Sequence, residues 1–173
     1  MGEGEEAYLL EPLGKQHDRA GFHCGVESLD LYLKTQASQD MRRKANAVFV
    51  LAPRESPNQI AGYFTLCAYA LAPGTVPEAA RKHIPRYPMV SATLLGRMAV
   101  SREFQGRGLG SNLLAKALKK AFTNAAQVGS SMVVVDAIDE KAANFYKAHG
   151  FIPLPESMHL ILPMQTIAEL FSP

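Results

Sequence analysis

Apolar and polar residues follow two different periods along this chain, and each change of period predicts a new element. Stretches that are apolar at every position, or at every second one, are typical of strands. They occur at 8–13, 47–53, 60–71, 93–101, 131–137 and 158–164. Apolar residues spaced three and four positions apart predict helices at 28–43, 111–122 and 139–150, with shorter helical segments at 78–84 and 166–171. Without the short segment 78–84, the order of regular elements is β-α-β-β-β-α-β-α-β-α, which is that of an α/β protein.

The ends of the predicted helices have residues that suit them chemically. Ser28 and Asp139 stand where a side-chain oxygen can accept a hydrogen bond from the first turn, so each is predicted to be an N-cap. The first of these helices ends in the basic cluster 42–44, which favours the negative end of a helix dipole. Gly150 offers the left-handed backbone that ends the other helix.

Composition places the chain among globular proteins. Its 173 residues are 47% hydrophobic and 20% charged, which fits one domain over 1–173. The longest apolar stretch, 60–73, is too short to cross a bilayer, and the start lacks the pattern of a signal peptide, so a cytoplasmic location is expected. Cys24 and Cys67 have no metal-binding spacing and are expected to be buried free thiols; no metal site is predicted.

The net charge of +2 hides an uneven distribution. Between Arg81 and Lys120 there are nine basic residues and a single acid, Glu103, whereas the rest of the chain is acidic. This excess of positive charge in one segment favours a polyanionic ligand, either a nucleotide cofactor or a nucleic acid.

The stretch QGRGLG at 105–110 stands between a predicted strand and a predicted helix. It lacks the Gly-Lys pair of an ATP-binding loop, and its glycines follow the pattern GxGxG rather than the GxGxxG of a dinucleotide-binding loop. A glycine-rich turn that opens a helix still directs several backbone N–H groups and the positive end of the helix dipole at one point. The loop therefore predicts an anion site.

Two stretches resemble the signatures of one family. MAV followed by QGRGLG and a helix resembles the cofactor motif of the GNAT superfamily of acyl-CoA N-acyltransferases, and NFYKAHGF resembles its second signature. Over residues 20–165, through FHCGVESLDLYL and IPRYPM among other segments, the chain resembles the GNAT toxins of bacterial toxin-antitoxin pairs. The resemblance implies a GNAT fold with a mixed central sheet flanked by helices. It also implies acetyl-CoA-dependent N-acetylation of the α-amino group of aminoacyl-tRNA, which blocks translation.

The resemblance assigns the residues that bind acetyl-CoA. The backbone of Met98, Ala99 and Val100 is expected to pair with the pantetheine arm like an added strand. The pyrophosphate is expected to lie against a loop formed by Gln105, Gly106, Arg107, Gly108, Leu109, Gly110 and Ser111. Asn144 is expected to contact the CoA arm through its amide.

The same resemblance places Tyr146 beside the thioester sulfur, where a phenol can donate a proton to the leaving thiolate or stabilise its charge. No residue stands out as a general base, and His83, His149 and His159 are equivalent candidates. An α-amine with a pKa near 8 is partly unprotonated at neutral pH, whereas a lysine amine with a pKa of about 10.4 is not. An enzyme without a base therefore suits an α-amino acceptor.

Basic residues outside the cofactor motif are expected to bind a second polyanion, the tRNA. They are Arg42, Arg43, Lys44, Arg81, Lys82 and Arg86. The resemblance further implies two partners, a ribbon-helix-helix antitoxin and a second copy of the chain in a homodimer. Two other interpretations use the same residues: a GNAT enzyme that acetylates a small amine, an antibiotic or a protein N-terminus, and a non-catalytic module that binds CoA or nucleic acid.

Overall fold

The computed structural model describes residues 7–155 and 157–172. Its strands are β1 (Tyr8–Pro12), β2 (Ala47–Pro53), β3 (Gly62–Leu71), β4 (Val90–Val100), β5 (Met132–Asp136), β6 (Ile152–Pro153) and β7 (His159–Pro163). Its helices are α1 (Glu27–Leu31), α2 (Ala37–Arg42), α3 (Glu78–Arg81), α4 (Leu109–Ala125), α5 (Glu140–Ala148) and α6 (Met164–Leu170). A π-helical turn, Tyr32–Gln36, joins α1 to α2. None of the described helices has both the length and the apolar character needed to cross a membrane.

The strands form a mixed sheet in the order β1-β2-β3-β4-β5-β7-β6. The pairs β1–β2, β2–β3, β5–β7 and β6–β7 are antiparallel, whereas β4 and β5 are parallel. Parallel neighbours need a long crossover connection, and α4 lies within the one that joins β4 to β5. The predicted α/β class with a mixed sheet and helices is confirmed.

The described residues pack as two compact units, and the boundary between them divides β3, β4 and α4. The first unit consists of 7–66 and 97–115, and the second of 67–96 and 116–172. The first unit is built around Phe22, Leu33 and Tyr63, which are almost fully buried. The second is built around Met132, Val134 and Ile161, also buried.

The π-helical turn in the first unit brings Tyr32 into the core. Tyr32 stacks on Tyr63 with 6.5 Å between ring centroids, and its hydroxyl donates to the Asp40 carboxylate at 2.8 Å. The Arg97 guanidinium lies 3.6 Å from the centroid of the Tyr32 ring, in a cation–π contact. These contacts fix the helical segment against β4 at the residue that leads into the predicted pantetheine segment.

Ser28 is not the N-cap that the sequence predicted. Helix α1 begins at Glu27, and Val26 occupies the N-cap position without a side-chain hydrogen bond. Asp30 instead accepts a hydrogen bond from the backbone N–H of Cys24 at 2.9 Å. An acidic side chain in the first turn can reach back to the backbone before the helix, so the helix start is tied by a residue inside it.

The ends of α5 agree with the prediction. The Asp139 carboxylate accepts a hydrogen bond from the N–H of Ala142 at 2.8 Å, which makes it the N-cap. Gly150 has a φ of 92°, the left-handed conformation expected after a helix end. The Asp139 cap and the left-handed Gly150 therefore define where α5 begins and ends.

Gly62 on β3 is a position where the fold requires the smallest residue. A Cβ added there would lie 2.9 Å from the carbonyl oxygen of Ala99 on β4. We therefore expect Gly62→Ala to lower the free energy of unfolding by roughly 2 kcal/mol, because backbone must move to admit the methyl group. Chemical denaturation measures the change, and Gly74→Ala, where nothing lies within 4 Å of the added Cβ, is the control. Equal loss in both variants would contradict the prediction.

Candidate active site

The loop between β4 and α4 is held in place by the side chain of Gln105. Its Nε2 donates to the carbonyl oxygens of Val100 at 2.8 Å and of Cys24 at 2.9 Å. An amide nitrogen has two N–H donors, and both are used here. The side chain of Gln105 therefore positions the loop, and its expected place against the pyrophosphate stays a prediction.

Two glycines in this loop adopt a conformation that other residues avoid. Gly106 has a φ of 79° and Gly108 a φ of 77°. Nothing lies within 4 Å of the Cβ that either would have, so the backbone angle and not lack of space requires glycine. The open space above both positions leaves the loop backbone accessible to a ligand.

Helix α4 begins directly after this loop, at Leu109. The N–H of Asn112 donates to the carbonyl of Gly108 at 3.3 Å, so the N–H groups of Leu109 and Gly110 precede the first helical bond. The 17-residue helix adds the positive end of its dipole at the same place. The Arg107 guanidinium lies 5.2 Å from the centroid of the Phe104 ring, which keeps a positive charge beside the loop. Together these groups form an anion cradle.

The strand before the loop leaves part of its edge without a β5 partner. Strand β4 runs to Val100, but its described pairing with β5 covers only Thr93–Leu95. Met98 and Val100 are half-buried, and Ala99 is packed in the core of the first unit. A segment of this kind can accept an added strand, as the sequence predicted for the pantetheine arm.

In the second unit, Tyr146 lies on α5 with its ring packed and its residue only 7% exposed. The ring contacts Phe145 and Phe151 edge-on, with centroids 5.4 and 5.5 Å away. Within the described part of the chain the Tyr146 hydroxyl has no hydrogen-bond partner, although it is not sealed from solvent. Burial, with a further contribution from the Asp136 carboxylate, raises the pKa of Tyr146 to about 12. Tyr146 is therefore a neutral donor at physiological pH.

Asn144 precedes Tyr146 by two positions on α5 and is exposed. Residues two apart on a helix point in different directions, so the two side chains do not lie on one face. Contact of Asn144 with the CoA arm remains a prediction.

The basic residues predicted to bind nucleic acid lie in two places. Arg42, Arg43 and Lys44 are exposed at the end of α2 in the first unit. Arg86 lies in the second unit, in a cavity of about 690 Å³ that is also lined by Arg81, Lys82 and Tyr87. The structure does not bring the two groups together within one unit. In the second unit it places the predicted Arg81, Lys82 and Arg86 around one cavity and adds Tyr87 to them.

Cys24 and Cys67 are half-buried rather than buried as predicted. The Cys24 thiol donates to the carbonyl of Val26 at 3.5 Å. Burial is the main factor that raises the pKa of Cys24 to about 11, so its thiolate is scarce at neutral pH. Cys24 is a structural thiol.

The model of the acetyltransferase (GNAT) domain matches residues 45–153, more than half of the chain. The chain belongs to the GNAT acetyltransferase family. A tRNA-acetylating toxin of Mycobacterium tuberculosis is 32% identical to this GNAT protein, over 86% of this chain and 87% of the toxin.

Solved structures resemble this GNAT acetyltransferase over nearly its whole length. The toxin AtaT complexed with acetyl-methionyl-tRNAfMet has a TM-score of 0.86 and 33% identity, covering 95% of this chain and 99% of AtaT. A tyrosine-to-phenylalanine mutant of AtaT, bound to the C-terminus of the antitoxin AtaR and to acetyl-CoA, has a TM-score of 0.81 and 31% identity. That match covers 96% of this chain and 99% of the mutant toxin.

As a GNAT acetyltransferase, the protein takes its acetyl group from acetyl-CoA. The residues present fit the cofactor's pyrophosphate. The loop offers left-handed glycines with open space above them, the start of α4 offers backbone N–H groups, and Arg107 offers a positive charge. Backbone donors at a helix N-terminus are a common way to bind phosphate.

The sequence prediction missed Asp136, and it did not distinguish His159 from the other candidate histidines. Asp136 ends β5 and its charge acts on the Tyr146 hydroxyl, while His159 lies opposite Asp136 on β7. A carboxylate at the end of a fully apolar strand was a signal for Asp136. No sequence signal distinguished His159 from the other histidines, because only the pairing of β5 with β7 brings it to this carboxylate.

Proposed function

We propose that this GNAT acetyltransferase acetylates the α-amino group of aminoacyl-tRNA with acetyl-CoA and acts as a toxin that blocks translation. Tyr146 is the observation that supports acyl transfer: a buried phenol with a pKa of about 12 and a hydroxyl that has no partner among the described residues. The choice of aminoacyl-tRNA is supported by the relative named for tRNA acetylation and by the AtaT complex with an acetylated tRNA.

The chemistry needs a thiolate to leave as the amine attacks the thioester. A phenol with a pKa of about 12 is a weaker acid than a thiol, whose ordinary pKa is about 8.5. Tyr146 therefore stabilises the developing thiolate by donating a hydrogen bond rather than by giving up its proton completely. The low polarity around its ring strengthens that bond.

The other assigned residues position the donor. The loop backbone from Gly106 to Ser111 and the Arg107 side chain would hold the pyrophosphate, and Gln105 holds the loop. The backbone of Met98–Val100 would pair with the pantetheine arm, and Asn144 would contact it from α5. These residues restrict the thioester to one place, which is a large part of what an acyltransferase contributes to the rate.

The cavity lined by Arg86 is proposed to receive the acceptor end of the tRNA. Arg81, Lys82 and Arg86 face one acid there, Glu78, so the cavity is positively charged. Tyr87 is 66% exposed beside them. Basic groups next to an exposed aromatic ring suit an unpaired nucleotide, because the cations bind phosphate and the ring stacks on a base. Arg42, Arg43 and Lys44 would contact phosphates elsewhere on the tRNA.

Neutralising Arg86 is expected to weaken tRNA binding selectively. Arg86→Gln should raise KM for aminoacyl-tRNA about fivefold and reduce the slope of log affinity against log salt by about one, since one phosphate contact is lost. KM for acetyl-CoA should not change. Arg54→Gln removes another exposed arginine, outside the cavity, and is the control. Identical salt slopes in wild type and Arg86→Gln would exclude Arg86 from the interface.

The protein is also proposed to have an antitoxin partner and to act in the cytoplasm, where aminoacyl-tRNA is found. Support for the partner comes from the AtaT mutant bound to the C-terminus of AtaR. The homodimer stays a prediction.

The direct test incubates the protein with labelled acetyl-CoA and with charged or uncharged tRNA. Label is expected on the charged tRNA alone, and mild alkaline hydrolysis should release it as an N-acetyl amino acid. Transfer to neither tRNA would overturn the proposed substrate, and a parallel assay with small amines and peptides would then identify the acceptor class.

A further inference from the structure

Asp136 and His159 form an exposed pair in the second unit, within the part of the molecule that holds Tyr146. They lie opposite each other where β5 pairs with β7, and their side chains are 57% and 33% exposed. The Tyr69 ring lies beside His159, with 6.0 Å between the two ring centroids. The strand pairing and the Tyr69 ring therefore hold the pair in place, and its exposure leaves it open to a ligand.

The gap between the two side chains has a size that suits one nitrogen atom. His159 Nε2 and Asp136 Oδ1 are 4.0 Å apart, which is too far for a direct hydrogen bond. A single nitrogen at about 2.8 Å from each would bridge them. An amine can do this, because it can donate to the carboxylate and exchange a proton with the imidazole.

Asp136 also lies close enough to Tyr146 for its charge to act on the hydroxyl. An amine bound to Asp136 would thus be held near the group that stabilises the leaving thiolate.

We propose that Asp136 and His159 bind the α-amino group of the acceptor and prepare it for attack. Asp136 attracts the ammonium form, and His159 takes one proton from its nitrogen and passes it to solvent. The freed lone pair forms the C–N bond to the acetyl carbon, and the C–S bond breaks. The second proton leaves the same nitrogen as the amide forms, and the thiolate, held by Tyr146, takes up one proton. The proposal rests on the proposed function for the identity of the acceptor.

The first experiment measures steady-state kinetics of Asp136→Asn and His159→Gln with aminoacyl-tRNA. Asp136→Asn is expected to raise KM for aminoacyl-tRNA about tenfold, because a charged hydrogen bond to the amine is lost. His159→Gln is expected to lower kcat about tenfold or more with a smaller change in KM. KM for acetyl-CoA should stay the same in both. Glu169→Gln on α6 and His23→Gln, which changes an exposed histidine of the first unit, are the matched controls.

A purely structural role for the pair predicts a different result. Exposed pairs of this kind contribute little to stability, so the melting temperatures of both variants should remain within about 2 °C of wild type. Wild-type KM and kcat in both variants, or losses that merely follow a lower melting temperature, would overturn the proposal. Partial recovery of KM in Asp136→Glu would support it, since the carboxylate is kept.

The second experiment separates this proposal from the proposed function because it needs no tRNA. Labelling the tyrosine rings and following Tyr146 by NMR titration gives its pKa in wild type and in Asp136→Asn. The pKa of Tyr146, about 12 in wild type, is expected to be lower in Asp136→Asn, because removal of a nearby negative charge makes ionisation of the phenol easier. Binding of an amino acid amide, followed in the same spectra, should weaken in parallel.

An unchanged Tyr146 pKa together with unchanged binding of the amide would overturn the site even if aminoacyl-tRNA proves to be the substrate. Loss of both in Asp136→Asn would support the site even if tRNA is not acetylated.

Discussion

Tyr146→Phe is expected to lower kcat by about a hundredfold to ten-thousandfold while leaving KM for acetyl-CoA nearly unchanged. Phenylalanine keeps the ring contacts with Phe145 and Phe151 and removes only the hydroxyl, which has no partner among the described residues. The fold and the cofactor cradle should therefore persist. Initial rates of acetyl transfer measure the loss, and a thermal melt confirms that the variant is folded.

The control for this prediction is Tyr8→Phe, which removes a hydroxyl from a tyrosine on β1 in the other unit and should retain wild-type kcat. The pH profile gives a second check. Because its pKa is raised, Tyr146 keeps its proton over a wider range than an ordinary tyrosine, so its own ionisation should not reduce kcat below about pH 11. Wild-type turnover in Tyr146→Phe would remove the residue from the mechanism.

The second large effect is expected in the loop. The double variant Gly106→Ala and Gly108→Ala should raise KM for acetyl-CoA at least tenfold. Each alanine is forced from a left-handed conformation at a cost of about 1–2 kcal/mol, so the loop turns to another shape and its N–H groups lose their common direction. Isothermal titration with acetyl-CoA measures the change in affinity.

Gly129→Ala is the matched control for the loop variant. Its added Cβ also has nothing within 4 Å, but Gly129 does not have the left-handed φ of the loop glycines. The control should bind acetyl-CoA like wild type. If the double variant did so too, the cradle would not be the cofactor site.

Much of the fold could be predicted because its elements are locally encoded. The bounds of β2 were predicted to the residue, and Asp139 and Gly150 marked the ends of α5 correctly. The π-helical turn Tyr32–Gln36 could not be predicted, since it depends on how Tyr32 packs against Tyr63 and Arg97. Strand β6 has only two residues, too few for any period to appear. Ser28 is not the cap because α1 begins one residue earlier, at Glu27, which places Ser28 inside the helix.

The site could be predicted where the backbone conformation requires a particular residue type. It could not be predicted where the function depends on which group a side chain contacts. Glycines at 106 and 108 predicted a turn that opens a helix, and the structure has this turn, with both glycines in the left-handed conformation. The sequence does not show whether the Gln105 amide faces a ligand or, as in the structure, the carbonyl of Val100. Asp136 and His159 are 23 positions apart, and only the register of two strands makes them neighbours.

The two hydrogen bonds of Gln105 have a consequence for how fast the protein meets its cofactor. They tie the loop to Val100 and Cys24 through bonds within the protein, so the loop has little conformational entropy left to lose when acetyl-CoA binds. A disordered loop would lose about 1–2 kcal/mol for each residue that became ordered. Capture of acetyl-CoA should therefore be limited by diffusional encounter rather than by a folding step in the loop, and bonds that never touch the cofactor help to set its association rate.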